Sequence, residues 1–168
     1  MAKTLRTIFW AGSVAGVLDI TSAFILFGLR GVSPGRILQG VASGLIGARA
    51  FRGGLGTEVL GGALHFLIAF SAAALYYAAS RRIPFLNKRP VAAGLLYGPL
   101  IYAFMNGVVV PLSAVAARRA TSIGDLITGV IILSCLVGLP IALIVWRSST
   151  DETHSLLPSA TQVFPSGQ

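Results

Sequence analysis

Four stretches of this chain, Ile8 to Leu29, Thr57 to Ala79, Val91 to Leu112 and Gly124 to Trp146, are almost wholly apolar. Each is roughly 22 residues long, which as a helix covers about 33 Å, enough to cross the hydrocarbon core of a bilayer. Backbone in lipid has to satisfy its own hydrogen bonds, so the pattern predicts an all-α bundle of four transmembrane helices. Composition agrees, with 55% of the 168 residues hydrophobic and 11% charged, against roughly 25% charged in soluble domains. The spans form one domain, residues 1–147, and the polar Ser-, Thr- and Pro-containing tail, residues 148–168, is expected to be disordered.

Between the first two spans, Ile37 to Ala48 is apolar but too short to cross, with Pro34 before it and Arg36 and Arg49 at its flanks. That pattern predicts an interfacial or re-entrant helix. Pro99 and Pro140 lie inside spans three and four, where they predict kinks. Lys3 and Arg6 before Ile8 to Leu18 resemble the start of a signal peptide, with Thr21-Ser22-Ala23 as a cleavage site. The apolar run resumes at Phe24 to Phe27, so the expectation is an uncleaved first span.

The net charge of +8 comes from 13 Lys and Arg that lie between or beside the spans. They read as headgroup contacts and topology signals, which excludes nucleic acid and leaves the lipid bilayer as the expected partner. Lys3, Arg6, Arg81, Arg82, Lys88, Arg89 and Arg147 fall on the side of both termini, seven against six for Arg30, Arg36, Arg49, Arg52, Arg118 and Arg119. The dense loop Ser80 to Pro90 strengthens that bias, and both termini are expected in the cytoplasm. The lone Cys135 precludes an intrachain disulfide and reads as a packing residue.

Gly12 with Gly16, Gly40 with Gly44 and Gly94 with Gly98 form GxxxG pairs, and alanines crowd span two. Small side chains let helices approach closely, either within one bundle or at a seam with a second copy or another membrane protein. Asp19 lies on the same face as Gly12, Gly16 and Ala23, towards other helices. His65 shares a face with Glu58, Gly61, Ala69 and Ala72. With span one running outwards, Asp19 lies near the midplane and His65 about 4–5 Å beyond it. Asn106 falls in the same outward half, so Asp19, His65 and Asn106 are expected to converge as an intramembrane polar cluster. Glu58 and Asp125 sit near the outer ends of spans two and four as interfacial acids, close in depth to Arg49, Arg52, Arg118 and Arg119, and ion pairs are expected there. Tyr76, Tyr77, Trp10 and Trp146 read as an aromatic belt, while Tyr97 and Tyr102 lie deeper.

A buried carboxylate at bilayer depth is costly, which makes Asp19 the leading candidate for a role in function. No phosphate-binding glycine loop, CxxC or HExxH is present, and two histidines 89 positions apart make no metal site. Ser113 and Ser134 lack a nucleophile context. No cofactor, metal or catalytic residue is therefore expected, and the chain does not read as an enzyme. A lipid-active enzyme using the interfacial segment and an intramembrane hydrolase built on Asp19 and His65 rank last.

Several pieces carry a resemblance: Gly16-Val17-Leu18-Asp19, Gly31-Val32-Ser33-Pro34, Ile37 to Gly44, Leu64-His65-Phe66 with Ile68-Ala69, and Tyr76-Tyr77 to Ser80-Arg81. Tyr97-Gly98 and Met105-Asn106 to Pro111-Leu112-Ser113 continue it. In these pieces the chain resembles a group of uncharacterised small bacterial inner-membrane proteins. The resemblance spares the tail and implies four membrane spans, with no activity to carry over. Two functions stand open at this stage. One is handling of a proton, ion or small solute at the polar cluster; the other is a structural or accessory subunit that docks a larger membrane complex.

Overall fold

The computed structural model describes residues 2–109 and 122–156. Helix α1 (Ala2–Gly28) leads through a tight turn to the short α2 (Pro34–Ile46) and a 3-10 segment, Gly47–Arg52. Then come α3 (Gly54–Ser80), the single turn α4 (Pro84–Lys88) and α5 (Pro90–Phe104), which widens into a π-helical turn at Met105–Val109. The last helix is built from α6 (Ile123–Ile132), a π-helical stretch at Leu133–Gly138, and α7 (Leu139–Leu156). Four helices are long and apolar enough to cross a membrane: Lys3–Gly28, Gly54–Ser80, Pro90–Val108 and Ile123–Thr150. The all-α, four-span architecture is the expected one.

Local chemistry explains the breaks. Gly31 takes φ of +80°, a left-handed conformation that glycine adopts without strain, and so turns the chain after α1. Ser33 caps α2 by accepting from the Arg36 N–H, and Pro34 fills the first helical position, where a missing N–H is harmless. Pro140 lies two residues beyond the end of the π-helical stretch, where a wider turn leaves room for a ring that has no amide proton to give. Helix α7 continues to Leu156, past the expected start of the tail at residue 148. Residues 157–168 lie outside the described part.

No span is more than 28% buried over its most apolar window, so most of each helix faces outwards. Leu5, Val17, Ile25, Leu67, Leu96 and Ile131 are among the exposed apolar side chains. Such a surface suits lipid and would be a large adhesive patch in water. Cys135, expected to pack inside, is exposed on this outer face.

The inner seams are made of small residues. On α5, a Cβ on Gly94 would meet the Gly138 carbonyl oxygen and Leu139 Cα at 2.8 Å, and one on Gly98 would collide with the backbone of Ser134. Helix α5 therefore lies almost backbone to backbone on the last helix. On α1, Gly12 and Gly16 receive the rings of Phe70 and Phe66 from α3. The buried core beside these seams joins Ala11 and Ala15 of α1, Ala73 and Tyr76 of α3, Ala93 of α5, and Ile141 and Val145 of α7. Tyr76, read as part of an aromatic belt, is thus a core residue. Its ring meets Tyr97 edge-on at 5.0 Å, and Tyr97 donates from its hydroxyl to the Ala72 carbonyl at 2.8 Å, tying α5 to α3.

Candidate functional site: a carboxylate and a histidine within the bundle

A cavity of about 370 Å³ lies among α1, α2, α3, α5 and the last helix. Asp19 and His65 both line it. The small face of α1 places them there: with Gly16 and Ala15 beside it, α3 comes close enough for His65 to reach the backbone of α1. The Nε2–H of His65 donates to the Gly16 carbonyl at 2.9 Å, since a carbonyl can only accept. In the neutral ring that leaves Nδ1 as the proton-accepting nitrogen. A Cβ on Gly16 would press on the Phe66 ring at 2.9 Å and Ala69 at 3.2 Å, so glycine is what permits this approach.

Asp19 is the opposite case. Its backbone carbonyl accepts from the Ser22 hydroxyl at 2.7 Å. Its carboxylate makes no salt bridge and accepts no hydrogen bond among the described residues. The imidazole of His65 is near enough for its charge to act on that carboxylate. The remaining lining is apolar: Ile37 and Val41 from α2, Ile101 and Met105 from α5 and its continuation, Leu133 and Val137 from the last helix. A carboxylate and an imidazole in such a chamber can share and relay a proton, or offer a carboxylate oxygen to a small cation.

Asn106 does not join them. Ile101 and Met105 line the cavity, and Asn106, one residue further on, is exposed. Its amide donates to the Tyr102 carbonyl of its own helix at 2.9 Å. Among the described residues the cavity therefore brings together Asp19 and His65 without Asn106.

The interfacial acids also differ from expectation in their partners. Asp125 pairs with Arg30 at 3.2 Å and accepts from the Ser122 hydroxyl at 2.8 Å. Of the arginines expected near it, Arg118 and Arg119 lie outside the described residues. Glu58 makes no salt bridge among the described residues. Its carboxylate accepts from the Gln39 amide at 3.4 Å and fills the space that a side chain at Gly35 would need. The nearby Arg36 stacks on Phe51 at 4.5 Å instead.

What the sequence reading missed is the α2 wall. Leu38 presents its carbonyl to Gly61 of α3, and Ile37, Gly40 and Val41 reach the cavity. The spacing of Ile37, Gly40 and Val41 at three and four residues was the available signal. No group of three His, Cys, Asp or Glu side chains comes together among the described residues. Comparison with protein-family models, curated proteins and solved structures finds no match, so the site is read from its own geometry.

Proposed function

We propose that this is a non-enzymatic integral membrane protein that binds and passes a proton or small cation at Asp19 and His65. The observation that carries the reading is a mid-span carboxylate with no hydrogen bond or salt bridge among the described residues, open to a 370 Å³ cavity that it shares with a histidine. A carboxylate kept only for packing would be expected to bond to a neighbouring helix, because an unsatisfied one is expensive in lipid. Four spans enclose little space, so a second copy of the chain fits this reading as a partner. The charge bias of seven against six supports cytoplasmic termini, and the resemblance supports a bacterial inner membrane.

The accessory-subunit reading has less behind it. It relied on free GxxxG faces, and Gly12, Gly16, Gly94 and Gly98 are all filled by this chain's own helices. Gly40, of the remaining pair, has nothing within 4 Å of its Cβ position among the described residues.

The test is proton flux in vesicles reconstituted with the full chain, driven by a potassium potential and read with an entrapped pH dye. Wild type is expected to acidify or alkalinise the lumen with the sign of the potential, and Asp19→Asn to abolish the flux. Flux through Asp19→Asn equal to wild type, with both proteins inserted, rules the proposal out.

A further inference from the structure

At the opposite end of the bundle a larger groove, about 790 Å³, runs between α1 and α7. Three cationic side chains line it: Lys3 and Arg6 one turn apart on α1, and Arg147 across from them on α7. All three are exposed. Below them the groove is closed by a hydrogen bond between hydroxyls, Thr7 to Ser148 at 2.7 Å. Thr7 spends its own proton on the Lys3 carbonyl at 3.0 Å, so Ser148 is the donor and Thr7 the acceptor. Trp10 comes next along α1, and Val14 and Ile144 complete the lining on the two helices.

The order of these groups along the membrane normal is the argument. From Lys3 to Val14 the helix rises about 16 Å, passing from cations through hydroxyls and an indole to aliphatic side chains. That sequence matches phosphate, glycerol backbone and first acyl carbons of a phospholipid in one leaflet. A free phosphate has use for the cations alone and none for the apolar lower half.

We propose that this groove binds one anionic phospholipid, with its phosphate between Arg6 and Arg147 and an acyl chain along Val14 and Ile144. The site is distinct from the Asp19 cavity and does not depend on its function. Cations near a membrane surface attract anionic lipid at roughly fivefold in affinity each, so loss of both arginines is expected to lower it by on the order of tenfold or more.

The chain has two tryptophans, Trp10 and Trp146. In a full-length Trp146→Phe background, fluorescence therefore reports Trp10 alone. The protein is reconstituted in phosphatidylcholine with a small fraction of brominated phosphatidylglycerol or, in parallel, brominated phosphatidylcholine. Stronger quenching by the anionic lipid is expected, with loss of that preference in Arg6→Gln/Arg147→Gln. Arg82→Gln/Arg89→Gln removes the same charge outside the groove lining and is expected to retain it. Equal quenching by the two lipids in the parent protein overturns the proposal whatever the variants do. So does equal loss in both double variants, which would mean diffuse surface charge. Abolition of the preference by millimolar inorganic phosphate would replace the lipid by a free anion, and it overturns the lipid assignment too.

Discussion

Replacing Gly98 by alanine tests the claim that α5 and the last helix are held backbone to backbone. The new methyl would collide with the backbone nitrogen and Cα of Ser134, atoms that cannot rotate aside. One turn away, a Cβ on Gly94 would meet Gly138 oxygen and Leu139 Cα at 2.8 Å, about 0.6 Å inside ordinary contact at 3.4 Å. A shift of that size at one point of the seam opens gaps along the rest, and a gap of 0.5–1 Å forfeits a quarter to a half of the dispersion well for each contact. Overpacking of this kind costs about 1–3 kcal/mol. Because the clash is with backbone that cannot rotate aside, the cost falls at the upper end, about 2–3 kcal/mol. Alanine regains about 1 kcal/mol in helix propensity, which leaves a net loss of about 1–2 kcal/mol, or some 5–30-fold in the folded to unfolded ratio. Gly40→Ala is the matched control, because nothing among the described residues lies within 4 Å of its Cβ position. It is expected to be neutral or up to about 1 kcal/mol stabilising. Reversible unfolding in mixed micelles, titrated with dodecyl sulfate, measures both. A Gly98→Ala protein as stable as wild type, or a Gly40→Ala protein equally damaged, would refute the close-packed seam.

Tyr97→Phe removes the donor to the Ala72 carbonyl and is expected to lose about 1 kcal/mol in the same unfolding assay. Tyr76→Phe, its edge-on neighbour, is expected to be neutral or slightly stabilising, because the Tyr76 hydroxyl is buried without a hydrogen-bond partner among the described residues. Asp125→Asn is expected to change stability by under about 1 kcal/mol, since Arg30 and Asp125 are 58% and 47% exposed, and a double-mutant cycle with Arg30→Gln measures the coupling. His65→Ala removes the bond to Gly16 and is expected to destabilise the α1–α3 contact by about 1–2 kcal/mol; unfolding by dodecyl sulfate that superimposes on wild type would rule that bond out as a structural tie.

The spans were legible because lipid imposes a length and a composition that few sequences meet by chance. The face carrying Asp19 was legible too, since Gly12, Gly16 and Asp19 repeat at helical spacing and small residues mark where helices meet. Depth along a span follows from a rise of 1.5 Å per residue, and rotation about it needs the neighbour's position. That is why spacing alone placed Asn106 in the cluster, while it is Met105 beside it that lines the cavity. Partner choice was the least legible. Asp125 takes Arg30, and these two are 95 positions apart and meet because the last helix begins at the level where α1 ends. Glu58 takes Gln39 because α2 crosses α3 at Leu38 and Gly61, a crossing that neither segment announces alone.

The two members of the cavity pair are chemically unequal, and that decides which of them can report on function. His65 bridges α1 and α3 through the Gly16 carbonyl, so any substitution that removes its Nε2–H alters packing and chemistry together. Asp19 bridges nothing through its side chain among the described residues. Asparagine has nearly its shape, keeps an acceptor oxygen and loses only the charge and the titrating proton. A bundle that tolerates Asp19→Asn in assembly yet loses flux assigns the carboxylate to function, because no hydrogen bond or salt bridge among the described residues changes with it and only its electrostatic interaction with His65 is lost. Loss of flux in His65→Ala alone carries no such weight, since the helix that lines half of the cavity would have lost one of its ties. The unpaired group is the informative one: what a structure does not use to hold itself together, at a depth where keeping it is expensive, is left for chemistry.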